Sequence, residues 1–396
     1  MMVGTRSCTD CSLRCDSNIM NRLLETLWYA QPTLQVMLLR TLLAPILWPL
    51  TVIFDAVTAF RRSTYRSGGF PVYRVACPVV VVGNLSVGGT GKTPLVVTLA
   101  QALTTAGCKV GIVTRGYGGK ARGITQVGAE SDPDEVGDEA CLIAKETTAT
   151  VIVAAERGPA ALELERLGVD VILSDDGLQH YALARDLEIV VVDAARGLGN
   201  GWLLPAGPLR ESRQRLRSVD WLVLHESDAS RPDERRSLLR RAGEAVGLVL
   251  EETAASLQAG PRVLGMTLVA AEPRALKENS QRSWSEWRGE SVHAVAGIGR
   301  PERFFAMLRA QGLQVTARAF ADHHRFVADD IPAAWPGPVL MTGKDAVKCR
   351  AFADERMWEV PVTASLSPEG GEALVAEILA LCQRKRQAMG AVKAGS

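Results

Sequence analysis

The 396-residue chain has almost no net charge: 45 Lys and Arg stand against 44 Asp and Glu. So small an excess gives no global attraction for nucleic acid, and none is expected as a partner. The apolar segment near the N-terminus lacks an uninterrupted run of spanning length. Between Arg40 and Asp55 lie 14 uncharged residues, fewer than the ~18–20 that a spanning helix wants. No small-residue cleavage site follows a short apolar core, which argues against a cleaved signal peptide. No Asn-Lys pair occurs anywhere, so a guanine-reading Asn-Lys-x-Asp loop is absent. There is no internal repeat and no low-complexity tract. The eight cysteines are scattered, which points to a reducing compartment rather than a disulfide framework. Cys8, Cys11 and Cys15 cluster without a fourth ligand at zinc-site spacing, so residues 1–19 read as a disordered extension. Met20 opens a segment that reads more like a protein beginning.

Against these absences stands one run, Val79-Val-Val-Val-Gly83-Asn-Leu-Ser86-Val87-Gly88-Gly89-Thr90-Gly91-Lys92-Thr93-Pro94. A short apolar strand enters a glycine-rich turn, and Gly-Lys-Thr opens a helix. This is the layout of a phosphate-binding loop, in which glycines let backbone N–H groups face a polyphosphate. Lys92 is placed to reach β/γ-phosphates and the Thr93 hydroxyl to ligate Mg²⁺. The helix N-terminus adds its positive dipole end. Ser86 stands where the strict pattern has Gly.

Residues 20–66 form a separate apolar segment. Pro45 and Pro49 are expected to kink it, Trp28 and Trp48 sit near its ends, and Arg61, Arg62 and Arg66 follow it. Residues 1–75 as a whole hold eight Arg and four acids. Aromatic and basic flanks suit the interface of an anionic cytoplasmic leaflet. They favour contact with the membrane, as a spanning or an interfacial helix, over a helix buried on the main domain.

From residue 78, strands alternate with helices. Pro78–Val82, Lys109–Val113, Thr150–Ala154, Asp170–Ser174, Leu187–Val192 and Asp220–His225 read as strands, with helices such as Lys92–Thr105 and Pro159–Leu167 between them. The alternation predicts an α/β fold: a P-loop NTPase-type, doubly wound, mostly parallel sheet. Ligands of such sheets bind beyond the carboxyl ends of the strands. A nucleotide-binding P-loop lobe is expected over 67–258. It includes a helix at Arg231–Ala245, a strand at Gly247–Leu250 and a linker from Ala254. A smaller C-terminal α/β lobe is expected over 259–386, its elements being Ser291–Ala296, Pro301–Gln311, Leu313–Phe320, Pro338–Thr342, Glu359–Val362 and Gly370–Lys385. Residues 387–396 are expected as a frayed tail.

Several short motifs fall at strand ends. Ser174-Asp175-Asp176-Gly177-Leu178-Gln179-His180 ends an apolar strand, where a P-loop enzyme holds Mg²⁺ on a carboxylate. Asp175 and Asp176 offer one carboxylate for metal and one to orient water or substrate. The competing reading is an Asp-Gly turn. Gly137-Asp138-Glu139 places acids at a helix start, which the macrodipole alone would favour. Asp322-His323-His324 is either a tuned base or a solvated loop. Arg115-Gly116-Tyr117-Gly118 sets a cation and an aromatic after a strand, and the Pro/Gly-shaped loop 199–211 ends in Arg210-Glu211. Arg in such a loop suits bidentate phosphate binding.

Together these motifs resemble the tetraacyldisaccharide 4'-kinase (lipid A 4'-kinase) family. The pieces are V-G-N-L-S-V-G-G-T-G-K-T-P at 82–94, R-G-Y-G at 115–118, G-D-E at 137–139, S-D-D-G-L-Q-H at 174–180 and G-N-G-W-L-L-P-A-G-P-L-R-E at 199–211. A-G-I-G-R-P-E-R-F-F at 296–305, D-H-H-R-F at 322–326 and T-G-K-D-A-V-K at 342–348 complete the set. The resemblance implies ATP-dependent phosphorylation of the 4'-hydroxyl of a tetraacyl glucosamine disaccharide 1-phosphate, at the cytoplasmic face of the inner membrane. It implies ATP held by Ser86–Thr93 and Mg²⁺ organised by Thr93 and Asp175 with Asp176 beside them. Lys92 would touch the phosphates. Asp138 would be the general base, and His323 would pair with it. Arg210, Glu139, Gln179, His180 and Arg115 would line the site. Gly343 stands where the family carries Glu. The alternatives are a P-loop GTPase or metallochaperone and a non-catalytic membrane-associated scaffold; intact Lys92, Thr93, Asp138, Asp175 and His323 speak against decay.

Overall fold

The computed structural model describes residues 23–226, 261–278 and 280–394. The cysteine cluster, Met20, and the helix, strand and linker read between 231 and 260 lie outside these residues.

A helical stretch at 23–29 leads into α1 (Leu34–Arg66). The core of the fold is a nine-stranded sheet. Its parallel strands are β1 (Val79–Gly83), β2 (Val110–Thr114), β4 (Thr150–Val153), β5 (Val171–Asp175), β6 (Leu187–Asp193), β7 (Trp221–Glu226) and β8 (Arg262–Ala270). Two antiparallel edge strands, β3 (Thr125–Val127) and β14 (Val362–Leu366), close it in the order β14-β8-β7-β6-β1-β5-β2-β4-β3. Strands covered on both faces become continuous apolar runs. Thus Val80 and Val82 pack under α2 (Lys92–Thr105), while Val79 and Val81 face the opposite layer. The helices α3 (Pro133–Val136) and α4 (Asp138–Glu146) follow β3, and α5 (Arg157–Arg166) follows β4.

A second, five-stranded sheet has the order β11-β10-β12-β13-β9. It comprises β9 (Arg274–Ala275), β10 (Ser291–Ala296), β11 (Gln314–Ala319), β12 (Val339–Thr342) and β13 (Met357–Val360), all parallel except β9. Its helices are α6 (Trp284–Trp287), α7 (Pro301–Ala310) and α8 (Gly343–Cys349). The last helix, α9 (Pro368–Ala394), returns to the large sheet through Leu374 and Ile378.

The sheets do not divide the chain at residue 258/259. β8, β14 and α9 all lie on the C-terminal side of that boundary, yet they belong to the large sheet and its core. The single strand expected at Glu359–Val362 is two. Pro361, with no N–H to give a ladder, separates β13 from β14, and the chain changes sheets there. The expected frayed tail is also corrected, since α9 continues to Ala394.

One helix runs through both Pro45 and Pro49. It is not buried on the main domain. Val36, Leu43, Leu47, Thr51, Phe54 and Thr58 form a covered stripe at helical spacing, and the other faces are bare. Leu42 is 75% exposed, Ile46 66% and Phe60 69%. The stripe is pinned to the 199–211 loop. Thr51 Oγ1 donates to the Leu203 carbonyl at 3.4 Å and accepts from the Ala206 N–H at 3.2 Å. Trp28 Nε1 donates to the Pro205 carbonyl at 3.0 Å.

Candidate active site

The phosphate-binding loop joins β1 to α2. Gly88 and Gly91 have φ of 103° and 92°, which L side chains rarely adopt. The 199–211 loop braces the loop's first half. Val87 N–H donates to Pro208 O at 2.9 Å and Arg210 N–H to Leu85 O at 2.7 Å. Ser86 is buried and bridged to Leu209. Among the described residues, no protein acceptor engages the N–H groups of Gly88, Gly89, Thr90 or Gly91. They form the row of free donors that an anion needs.

Lys92 Nζ donates to Asn84 Oδ1 at 3.0 Å and lies 3.3 Å from Asp176 Oδ1. Arg210 Nη1 contacts both oxygens of the same carboxylate, at 3.3 and 3.1 Å. Burial alone would raise the Asp176 pKa, but the two cations outweigh it and hold the carboxyl at about 2. Asp176 adopts φ 47°, a left-handed turn after β5 that swings its side chain toward the cations.

Asp175 is its opposite. Its Oδ1 is buried and has no hydrogen-bond partner among the described residues. Burial, then the charge of Glu139, push its carboxyl up to about 7, with Lys92 opposing. Arg157 sits behind it, buried, donating to the Asp175 carbonyl at 3.0 Å and to the Ala154 carbonyl at 2.9 Å. Gln179 ties loops together, through the Asn84 carbonyl at 3.3 Å and Glu211 at 3.0 Å. Burial, then Arg157, Arg115 and Arg61, lower the His180 pKa to about 4, so its ring is neutral near pH 7. Arg115 is exposed at the carboxyl end of β2.

Asp138 opens α4 behind Gly137 (φ 90°). A Cβ on Gly137 would stand 2.8 Å from the Tyr117 carbonyl, so the Gly116–Gly118 turn can close on it only because it is glycine. From the other sheet, His323 Nδ1 reaches Asp138 Oδ2 at 3.1 Å. His323 has φ 57°, and its N–H is anchored to Gly297 O at 3.1 Å beyond β10. The Tyr117 ring lies 4.9 Å from the imidazole. Burial would raise the Asp138 pKa, but the His323 hydrogen bond and the charges of Lys344 and Lys348 bring it below its ordinary value. The same hydrogen bond raises the His323 pKa. Lys344 pairs with Glu139, and Lys348 lies 3.6 Å from Asp138. His324 stands apart from this group; it contacts Asp330 at 2.8 Å and stacks on Phe320. Arg300 and Arg303 add a second bridge between the sheets, both to Asp193 at the end of β6.

The sequence motifs point to most of these residues. Asn84, Arg157 and Lys348 escaped. Asn84 lay inside the loop motif, but an Asn in a turn reads as turn chemistry. Nothing in the sequence marks Arg157 as buried.

A doubly wound sheet with a lysine-bearing anion loop, a buried strand-end carboxylate and a hydrogen-bonded Asp–His pair defines a phosphoryl-transfer enzyme of the P-loop class. Known proteins narrow the class. The family model described as tetraacyldisaccharide-1-P 4'-kinase matches residues 43–380. The tetraacyldisaccharide 4'-kinase of Azoarcus sp. is 44% identical over 335 residues, covering 84% of this chain and 91% of that protein. That of Xanthomonas campestris pv. campestris is 46% identical over 318 residues, covering 80% and 87%. A crystal structure of "apo" form LpxK from Aquifex aeolicus in complex with ATP aligns with a TM-score of 0.68 at 28% identity, covering 87% of this chain and 99% of that one. The chain belongs to the tetraacyldisaccharide 4'-kinase family. Its activity is ATP-dependent 4'-phosphorylation of the tetraacyldisaccharide 1-phosphate in lipid A biosynthesis.

Proposed function

We propose that Asp138 is the general base of this kinase and that the loop 86–93 holds the nucleotide it acts beside. The observation that carries this reading is a carboxylate that is mostly buried yet kept ionised by a histidine from the other sheet. Its neighbour Glu139 lies close enough to Asp175 to raise that group's pKa, which ties the pair to the phosphate loop. ATP binds with its phosphates on the N–H groups of 88–91. Lys92 and Arg210, both aimed by Asp176, neutralise charge on the transferring group. Asp138 accepts the proton of the sugar 4'-hydroxyl, and His323 holds the carboxylate oriented and charged. Phosphoryl transfer asks mostly for positioning and charge stabilisation, which these groups supply.

Mg²⁺ fits the same place. The unpartnered Asp175 Oδ1 and the buried Thr93 at the first turn of α2 are hard oxygen donors. Among the described residues no group of three His, Cys, Asp or Glu forms a cage. A cation here would therefore share nucleotide phosphates and water, as Mg²⁺ prefers. When bound it supplies charge to the β/γ-phosphates. Removing the carboxylate tests this assignment. Mg²⁺ should tighten ATP binding by about tenfold or more in the wild type, and Asp175→Asn should lose most of that gain, read by calorimetric titration with and without Mg²⁺. An undiminished Mg²⁺ effect in Asp175→Asn removes Asp175 as the ligand.

The bare apolar faces of α1 are its membrane side. The helix is long and apolar enough to cross a bilayer, but its covered stripe is docked on the body over much of its length. A body tied along the helix cannot stay in water while the whole helix crosses hydrocarbon. The helix therefore lies in the inner-membrane interface, cytoplasmic side, and keeps the site where acyl chains reside. Leu42→Glu with Ile46→Glu should lower partition into phosphatidylethanolamine/phosphatidylglycerol vesicles by about tenfold or more. Unchanged flotation with the vesicles would remove α1 as the membrane contact.

A further inference from the structure

The phosphate loop is also held from a strand that carries none of its motifs. His225 lies near the end of β7, two strands from β1 in the sheet. It is 5% exposed, and its Nδ1 is 3.0 Å from the Thr90 carbonyl oxygen. A carbonyl only accepts, so Nδ1 carries the proton and donates. The loop backbone rests directly on this ring. A Cβ on Gly91 would stand 3.3 Å from His225 Nδ1 and 3.0 Å from Met266 Cε.

The consequence follows from peptide geometry. In a trans peptide the C=O of one residue and the N–H of the next point in opposite directions. Fixing the Thr90 carbonyl on the ring therefore turns the Gly91 N–H away from the ring, and among the described residues no protein acceptor takes it. Asn84, fully buried, does the same two peptides earlier. Its Nδ2 donates to Gly88 O at 3.3 Å, which turns the Gly89 N–H the other way. The loop is glycine-rich and so free to flip these planes. A flipped plane would aim an oxygen lone pair, rather than an N–H, at the phosphates.

We propose that His225 is a positioning residue for nucleotide binding: its Nδ1–H pins the Thr90–Gly91 peptide so that the Gly91 N–H faces the phosphates of ATP. The ring suits the task because it is neutral. Burial lowers its pKa and outweighs Asp193 and the Thr90 bond, which oppose it, while Arg303 adds to the lowering. The bond then needs no titration to persist near neutral pH.

The proposal rests on residues 83–93 being the nucleotide loop, and the experiment separates the two. Asn and Leu have the same branched heavy-atom skeleton, Leu being the bulkier, and only Asn places an amide donor near the position of Nδ1. His225→Leu should weaken ATP and ADP binding by about tenfold, the loss of one oriented hydrogen bond. It should leave AMP binding and the KM for the lipid unchanged. His225→Asn should recover most of the ATP and ADP affinity. A merely structural role predicts equal losses in both variants, tracking their melting temperatures and sparing no ligand. Equal losses of that kind, or wild-type ATP affinity in His225→Leu, overturn the proposal. Lys92→Ala run in parallel guards the premise. If it too binds ATP normally, the loop assignment itself falls. Should His225→Leu fail to fold, the wild-type ring remains a test. In the ¹⁵N-histidine-labelled full chain, which has five histidines, His225 must be the Nδ1–H tautomer. The Nε2–H tautomer refutes the donor role.

Discussion

Asp138→Asn lowers kcat by about 10²–10⁴-fold, the range removed with a positioned general base, and leaves ATP affinity unchanged. The substitution keeps the shape and the Glu139 N–H contact at 2.9 Å, so the fold should survive it. What it removes is the acceptor. The wild-type carboxylate holds its charge because His323, Lys344 and Lys348 outweigh the cost of burial. This fixes the sign of the pH dependence. With its pKa below the ordinary aspartate value, Asp138 stays deprotonated across the neutral and weakly acidic range, and the rate falls only as pH drops through that lowered pKa. His323→Gln removes the largest of the opposing contributions. Burial then raises the Asp138 pKa, and the acid limb of the kcat profile moves to higher pH. A wild-type kcat in folded Asp138→Asn would dismiss Asp138 as the base.

Lys92→Ala has the second large effect. Removing one preorganised charge from the transferring group costs about 10²–10³-fold in kcat, and ATP binding weakens as well because the same ammonium meets the ground-state phosphates. Lys92 is a point charge at the end of a flexible stem, 3.0 Å from Asn84 Oδ1 and 3.3 Å from Asp176 Oδ1. Lys92→Arg should recover little, since a planar guanidinium does not fit a slot built for an ammonium. The KM for the lipid should not move. Steady-state kinetics with each substrate varied in turn reads all three quantities. A Lys92→Ala enzyme with normal kcat and normal ATP affinity would place the nucleotide elsewhere.

Much of this was legible because parallel βαβ units and phosphate loops write themselves locally. Val79–Val82 reads as a doubly buried strand and Gly88–Thr93 as an anion loop from adjacent residues alone. Helix α2 falls where the pattern put it, at Lys92–Thr105. What was not legible depends on distant pairing. β14, Val-Thr-Ala-Ser-Leu, is an antiparallel edge strand with one fully buried residue, so it has no apolar run to announce it. Its partner β8 lies about 90 residues earlier in the chain. Missing both put the lobe boundary in the wrong place. The site divides in the same way. Asp175, Asp176 and Lys92 follow from local motif logic, whereas the Asp138–His323 pair spans 185 residues, and from the residues alone Asp322-His323-His324 could equally have been a solvated loop. The family resemblance supplied that pairing. Arg157 and His225 were invisible because burial of a polar side chain is decided by neighbours from other strands.

The most direct test of the central claim is transfer of radiolabel from γ-labelled ATP to tetraacyldisaccharide 1-phosphate in detergent with Mg²⁺, run on wild type and Asp138→Asn, with ATP binding measured on the same preparations. Wild type should yield labelled 4'-phosphorylated lipid, and Asp138→Asn should bind ATP equally well while yielding only a trace. Labelled lipid formed at the wild-type rate by Asp138→Asn would contradict the account.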